Sequence, residues 1–268
     1  MMELIKKLRE QSGAGMVDCQ KALVEANSDI NVALEILRKK GILKAAKRGD
    51  RETKEGVIKL AVSDDASQGF ILQVNSETDF VSRNEQFQAF AQKALDLAIA
   101  NKPGNIEELL NIVMEDGNSI KENLESLSGI IGEKLSVEKY DSITSTGTIA
   151  AYSHAGGRIG VLVALDKKDS SEVAQDIAMQ IAAANPKYIS QEEVPTEEIN
   201  KEKEIYRVQL QKEGKPENII ESILGGKINK YYSEVCLVKQ EFVKEEKKNV
   251  SDILGGITVE KMIRYSLV

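Results

Sequence analysis

The sequence predicts an α+β fold: a small three-helix head, then a core of two related α/β subdomains with antiparallel sheets, the second carrying a helical hairpin insertion. Three observations carry this. Apolar residues recur at helical spacing through the first 41 positions. A strand–turn–strand segment then occurs twice, 91 residues apart without a gap. Each copy is followed by an Ala-rich apolar helix closed by a proline, Pro103 or Pro186.

In the head, Leu4, Ile5 and Leu8 mark the first helix, and Gly13 and Gly15 break the chain. Cys19, Ala22, Leu23 and Ala26 mark the second helix. Asp29 is placed to cap the third, whose inner face is Ile30, Ala33, Leu34 and Leu37, and Gly41 sits where a C′ glycine ends a helix. Met16 and Val17, just after "GAG", suit either the thin core of so small a bundle or its surface. Lys44 to Glu55 reads as a helical or flexible charged linker. The boundaries are drawn at 1–50 for the head and linker, 51–140 for the first core subdomain and 141–268 for the second.

The repeat pairs "GVIKLAVSDDASQGFILQVN" (56–75) with "GTIAAYSHAGGRIGVLVALD" (147–166). Each copy is a hairpin signal, two apolar runs around a Gly/Ser/Asp turn. Helices are expected near Glu85–Ala100 and Ser171–Ala184. A helical stretch around Ile106–Leu127 and a strand in "GIIGEKLSVEKY" complete the first copy. In the second, Gln191–Lys230 is charged, and 11 of the 23 residues in 191–213 are Asp, Glu, Lys or Arg. A "GKP" turn at 214–216 and the stripe Ile219, Ile220, Ile223, Leu224 and Ile228 make this an antiparallel helical hairpin, a short coiled coil at about 191–230. "SEVCLVKQEFV" is expected to return as the third strand. The hairpin is either a solvated helical pair or a contact to a partner, such as a second copy in a homodimer.

"NSETDFVSRN" (75–84) poses the sharpest question. The chain has 5 Phe and no Trp, and Phe80 stands in an otherwise polar run. The prolines are 83 residues apart against 91 for the hairpins, so the first copy has extra residues, assigned to this join. The second copy manages with the polar "KKDSSE". The repeat unit does not require a Phe here, which favours a ring displayed for a partner over a core anchor.

Composition narrows the function. Net charge is −7, 41% of the 268 residues are hydrophobic and 29% are charged, the profile of a globular chain. No apolar run nears the ~20 residues of a membrane span, and "MMELIKKLREQ" is amphipathic rather than a leader peptide. Cys19 and Cys236 sit in apolar contexts and read as buried free thiols of a cytoplasmic protein. Residues 1–50 carry 10 Lys/Arg against 7 Asp/Glu, whereas the rest carries 26 against 36. An acidic body disfavours nucleic-acid binding, while the basic head suits an acidic protein surface or nucleic acid. The one histidine, His154, lies in a glycine-rich turn without metal-ligand neighbours, and no nucleophile elbow or phosphate-binding loop is present. Cofactors and metals are not expected. Spacing alone favours a binding or regulatory protein over an enzyme. The competing reading is an adaptor that binds RNA or a ubiquitin-like partner through the head.

"LREQSGAGMVDCQKAL", "VNSETDFVSRNEQFQAFA" and "HAGGRIGVLV" together resemble the bacterial elongation factor Ts family, guanine-nucleotide exchange factors of the GTPase elongation factor Tu. The resemblance covers nearly the whole chain in order. It implies a ubiquitin-associated-like head and exchange without covalent chemistry or direct nucleotide binding. It also implies that Asp79 and Phe80, within Thr78-Asp79-Phe80-Val81, wedge near the Mg²⁺ and phosphate site of the GTPase. Arg9, Met16 and Val17 would grip another helix of its nucleotide domain. Ile131 and Gly132 would add a contact near the tip, and His154, Phe242 and Val243 would meet its last β-domain. Many members have Met where Val17 stands, and Glu241 and Lys244 replace a proline and an apolar residue that some members carry. Where this sequence ends, at "IRYSLV", some members continue into a helical module that contacts the GTPase, so a weaker complex is the expectation.

Overall fold

The computed structural model describes residues 1–46 and 48–267; Lys47, inside the expected linker, and Val268, inside "IRYSLV", lie outside the described residues. Helices α1 (Met2–Ser12), α2 (Met16–Glu25) and α3 (Ile30–Ala46) form the head. Ile5, Leu8, Cys19, Ala22, Leu23 and Ala33 meet in its core, at the spacing that puts one face of each helix inward. Gly13 ends α1 in the left-handed conformation (φ 67°), its N–H donating to the Arg9 carbonyl. The Asp29 carboxylate opens α3 by accepting from Asn31 N at 2.8 Å and Val32 N at 3.1 Å.

Strands β1 (Glu55–Val62) and β2 (Gln68–Ser76) make the first hairpin. Its turn is tied by Asp65, whose carboxylate accepts from Ser63 Oγ at 2.6 Å and Ser67 N at 3.1 Å. Then follow α4 (Asp79–Ser82), α5 (Glu85–Asn101), α6 (Ile106–Leu110), α7 (Ile120–Ile131) and β3 (Leu135–Thr144), which pairs with β2. The second unit runs β4 (Thr148–His154), β5 (Ile159–Leu165), α8 (Ser171–Ala184), α9 (Thr196–Lys212), α10 (Glu217–Val235), α11 (Val250–Leu254) and β6 (Val259–Ser266). Each sheet is antiparallel with three strands, in the orders β1-β2-β3 and β4-β5-β6. α9 and α10 lie side by side, joined by Leu210, Ile220 and Leu224.

The two sheets stack face to face. Ile58, Ile71 and Ile143 of the first meet Ile149, Leu162, Ala164 and Tyr265 of the second. Each sheet's other face is covered by helices. Phe87, Phe90, Ala94 and Leu95 of α5 lie on Phe70, Leu72 and Val74, and Ile177, Ala178 and Ile181 of α8 lie on Val161, Val163 and Leu165. Fully burying a side chain such as Phe87 contributes about 1.5–3 kcal/mol. The repeat appears as a reciprocal backbone contact. Ile58 N donates to Gly157 O at 2.8 Å, and Ile149 N donates to Ala66 O at 2.9 Å. A shift of 91 residues carries 58 onto 149 and 66 onto 157. At this stacking a Cβ on Gly160 would lie 2.4 Å from Ile58 Cγ2, so the sheets close only over a glycine.

Three expectations need correction. Gly41 does not end its helix, because α3 continues to Ala46. Its missing side chain serves packing instead: a Cβ on Gly129 of α7 would lie 2.2 Å from Gly41 Cα. "SEVCLVKQEFV" is not the third strand. α10 runs through Val235, Leu237–Lys239 is a short 3-10 turn, and only isolated bridges (Tyr188 with Cys236, Glu241 with Asn249) remain. Val235, Cys236 and Leu237 are buried in succession, the first two among the residues of α9 and α10 and Leu237 in the core beneath the second sheet, and β6 takes the place beside β5. Finally, only part of the eight-residue excess falls in the join. The helix starts, Glu85 and Ser171, are 86 apart, so five residues enter the join and three lengthen α5.

Candidate functional site: a braced tip at Asp79 to Val81

β2 ends at Ser76, and the chain makes one helical turn, α4, before α5 begins. The turn has an inner and an outer side. Val81 is buried against the first subdomain's core, whereas Phe80 is 84% exposed, the most exposed large apolar side chain among the described residues. One residue anchors the turn and its neighbour is held out, because successive helical positions point about 100° apart. Ser82 Oγ donates to Asp79 O at 2.8 Å, and Gln88 Nε2 donates to Ser82 O at 2.5 Å. Asn84 caps α5 by accepting from Gln86 N at 2.9 Å and Phe87 N at 3.3 Å. Asp79 pairs with Arg83 at 3.1 Å, and Arg83 is itself largely exposed.

The tip is gripped at its base. Glu133 accepts from Thr78 N at 3.0 Å and from Thr78 Oγ1 at 2.7 Å. Glu77 accepts from Lys134 N at 2.6 Å and from Arg51 at 3.1 Å. The Lys134 N–H, with the Arg51 guanidinium adding, holds the Glu77 carboxyl below the usual carboxylate range although partial burial opposes it. Two neighbouring residues on each segment thus cross-brace one another. Lys134 Nζ extends the brace to the chain leaving the head, donating to Gly49 O at 2.7 Å and Arg51 O at 2.9 Å.

Ile131 ends α7, half-buried against the first core, and Gly132 follows in the left-handed conformation (φ 93°). The turn at Gly132 aims Glu133 at Thr78, so Ile131 and Gly132 belong to the same corner as residues 78–81. Arg9, Met16 and Val17 are exposed on the head, Met16 by 47% and Val17 by 62%. Their loop leans on α5, where a Cβ on Gly13 would lie 2.5 Å from Gln86 Nε2. His154 is exposed at the end of β4, with Nδ1 3.1 Å from Tyr152 OH. The turn after it brings Arg158 onto Glu55 at 2.5 Å. That carboxylate, and secondarily the Asp79 charge, raise the Arg158 pKa.

Phe242 and Val243 are not at this corner. Phe242 is 4% exposed inside the second core, and Val243 is 52% exposed, with its N–H donating to Gln180 Oε1 at 2.9 Å. Sequence reasoning missed Glu77, Glu133, Lys134 and Arg158. They lie in segments far apart in sequence, and nothing local to any of them names its partner.

Among the described residues, no group of three or more His, Cys, Asp or Glu could hold a metal ion, and no helix is long and apolar enough to cross a membrane. Phe80 and the Asp79 carboxylate are thus presented at the surface on a turn braced from below.

The family model described as elongation factor TS matches residues 77–268. The chain is similar to elongation factor Ts of Clostridium perfringens strain SM101, 43% identical over 97% of this chain and 90% of the relative. It is likewise similar to elongation factor Ts of strain ATCC 13124, 42% identical over the same shares. The chain belongs to the elongation factor Ts family. This membership does not favour the adaptor reading.

Proposed function

We propose that the chain promotes release of GDP from elongation factor Tu, by placing Asp79 and Phe80 against the Mg²⁺ and phosphate site of that GTPase. The observation that carries this is the pairing of an almost fully exposed Phe80 with a base tied down at the two residues before the turn, Glu77 and Thr78. A ring kept in water on a rigid support gains its burial only when a partner covers it, and such aromatic anchors dominate protein interfaces. Thr78 and Val81 hold the turn from below. Arg9, Met16 and Val17 grip the same GTPase from a ubiquitin-associated-like head (1–50). Ile131 and Gly132 support the tip from the first core subdomain (51–140). His154 and Val243 add contacts from the second (141–268), with Phe242 supporting Val243 from inside. The chain itself binds no nucleotide and makes no covalent bond.

Exchange of this kind is a coupling between two ligands of one GTPase. The chain and GDP weaken each other's binding by the same factor, because free energies around a closed cycle balance. A coupling of about 4 kcal/mol corresponds to roughly a thousandfold in each affinity. Stopped-flow release of a fluorescent GDP analogue from elongation factor Tu, with the chain titrated at several GDP concentrations, tests this. Release should accelerate at catalytic amounts of the chain, and its apparent affinity should fall as GDP rises. Affinity independent of GDP would overturn the wedge.

A further inference from the structure

We propose that Glu133 is a positioning residue for exchange, holding the tip in its inserting conformation; this rests on the wedge reading above. Glu133 sits in the first core subdomain, 54 residues after Asp79. Its carboxylate takes both donors of Thr78, the backbone N–H at 3.0 Å and Oγ1 at 2.7 Å. Thr78 is the residue before α4 and has extended backbone (φ −124°, ψ 158°), and its own side chain makes no cap bond to the turn. A Thr at this position would ordinarily cap the turn with its hydroxyl. Here that hydroxyl is turned away to Glu133, so the start of α4 is fixed from outside the turn.

The four residues of α4 are too few to be stable alone, since the first turn of a helix is the costly one to form. What shapes the turn is its surroundings: Val81 buried below, Gln88 on the Ser82 carbonyl, and Glu133 on Thr78. Among these, the carboxylate acts on the residue directly before Asp79 and Phe80. Glu77 and Lys134 repeat the grip one residue outward in the opposite sense, at 2.6 Å. The two segments therefore cannot slide past one another without breaking both contacts. Through Lys134 the same corner also reaches Gly49 and Arg51, so the exit of the head and the base of the tip share one support.

This makes separable claims on binding and on rate. Loosening Thr78 leaves Phe80 and Asp79 present and exposed but no longer pre-set. Contacts from the head and second subdomain still dock the chain. The step that needs the tip in place slows, and a misplacement of about 1 Å can cost up to roughly a hundredfold.

The test compares Glu133→Ala, Glu133→Gln and Phe80→Ala. Glutamine keeps an acceptor oxygen for Thr78, whereas alanine keeps none. In stopped-flow GDP release from elongation factor Tu, Glu133→Ala should lower the maximal rate roughly tenfold or more, with the half-saturating concentration changed less than threefold. Glu133→Gln should recover most of the rate. A second readout needs no GTPase: with a fluorine label on the Phe80 ring, Glu133→Ala should sharpen the ¹⁹F resonance and shift it toward that of a free peptide, and Glu133→Gln should not. An unchanged resonance in Glu133→Ala overturns the positioning role, as does an unchanged rate while Phe80→Ala is slow. If Phe80→Ala itself exchanges at full rate, the wedge reading fails, and the ¹⁹F comparison still decides whether Glu133 orders the tip. Should Glu133→Ala unfold by circular dichroism, Thr78→Val, which replaces the hydroxyl with a methyl and so breaks the Oγ1 bond to Glu133, takes its place in both measurements under the same criteria.

Discussion

Gly41 of α3 and Gly129 of α7 meet backbone to backbone, close enough that a Cβ on Gly129 would lie 2.2 Å from Gly41 Cα and 2.6 Å from Gly41 O. The head is thereby seated on the first core subdomain, with Arg38 reaching Glu122 at 3.4 Å and Arg48 donating to Ser128 O at 3.1 Å beside the crossing.

Gly129→Ala should push the helices apart and destabilise the seat by about 1–3 kcal/mol, despite the gain of about 1 kcal/mol that Ala brings to an unobstructed helix. Gly225→Ala in α10 is the matched control, because nothing lies within 4 Å of a Cβ there. It should stabilise by about 1 kcal/mol. Thermal melts read both signs, and faster cleavage between head and core under limited proteolysis should accompany only Gly129→Ala.

Phe80→Ala should change stability by no more than about 0.5 kcal/mol, since an 84% exposed ring contributes little to the fold. Its effect should appear in exchange, where an aromatic hot spot is worth ~2 kcal/mol or more. Melting temperature and GDP-release rate measured on one preparation separate the two. A large loss of stability with full exchange would show that the ring serves the fold.

The neighbours Phe242 and Val243 should split in the same way. Phe242→Ala empties a place in the second core and should cost about 3–5 kcal/mol of stability. Val243→Ala should be near neutral in denaturant unfolding, with any effect confined to complex formation measured by calorimetry.

The base of the tip should be sensitive to acid. Glu77 faces Arg51, the more distant charge of Arg48, the Lys134 chain and its neighbour Glu133, and its carboxyl is held below its ordinary value chiefly by the Lys134 N–H. A depressed folded pKa means that the ionised form favours folding. Its contribution is therefore fully present above the unfolded carboxyl value, about 4.3, and is lost as pH falls through the lower folded value. The gap in melting temperature between the native chain and Glu77→Gln should stay constant from about pH 8 to 5 and close below about pH 4. A gap independent of pH would mean that the charge is not what braces Lys134.

Much of this architecture was written locally. The apolar spacing of Ile5, Leu8 and Leu23 specifies the head, and the match of Gly69 with Gly160 specifies two like hairpins. The odd placement of Phe80 singled out the tip, because a lone aromatic among polar residues has no local core to join. These features follow from periodicity and turn chemistry, which act over a few residues. Tertiary structure decided the rest. The apolar "EVCLV" could have been a strand by its composition, but β6 holds the sheet edge, Val235 and Cys236 pack among α9 and α10, and Leu237 joins the core beneath the second sheet. Gly41 looked like a helix stop, yet whether a glycine ends a helix or lets another backbone approach depends on what lies opposite, and Gly129 is 88 residues away. Glu133 gave no local sign of its bond to Thr78, since a carboxylate's partner is set by whichever donor the fold brings within about 3 Å. The sequence by itself determined the head helices, the two like hairpins and the oddly placed ring; only the packing of distant segments determined the third strand of the second sheet and the grip that holds that ring in place.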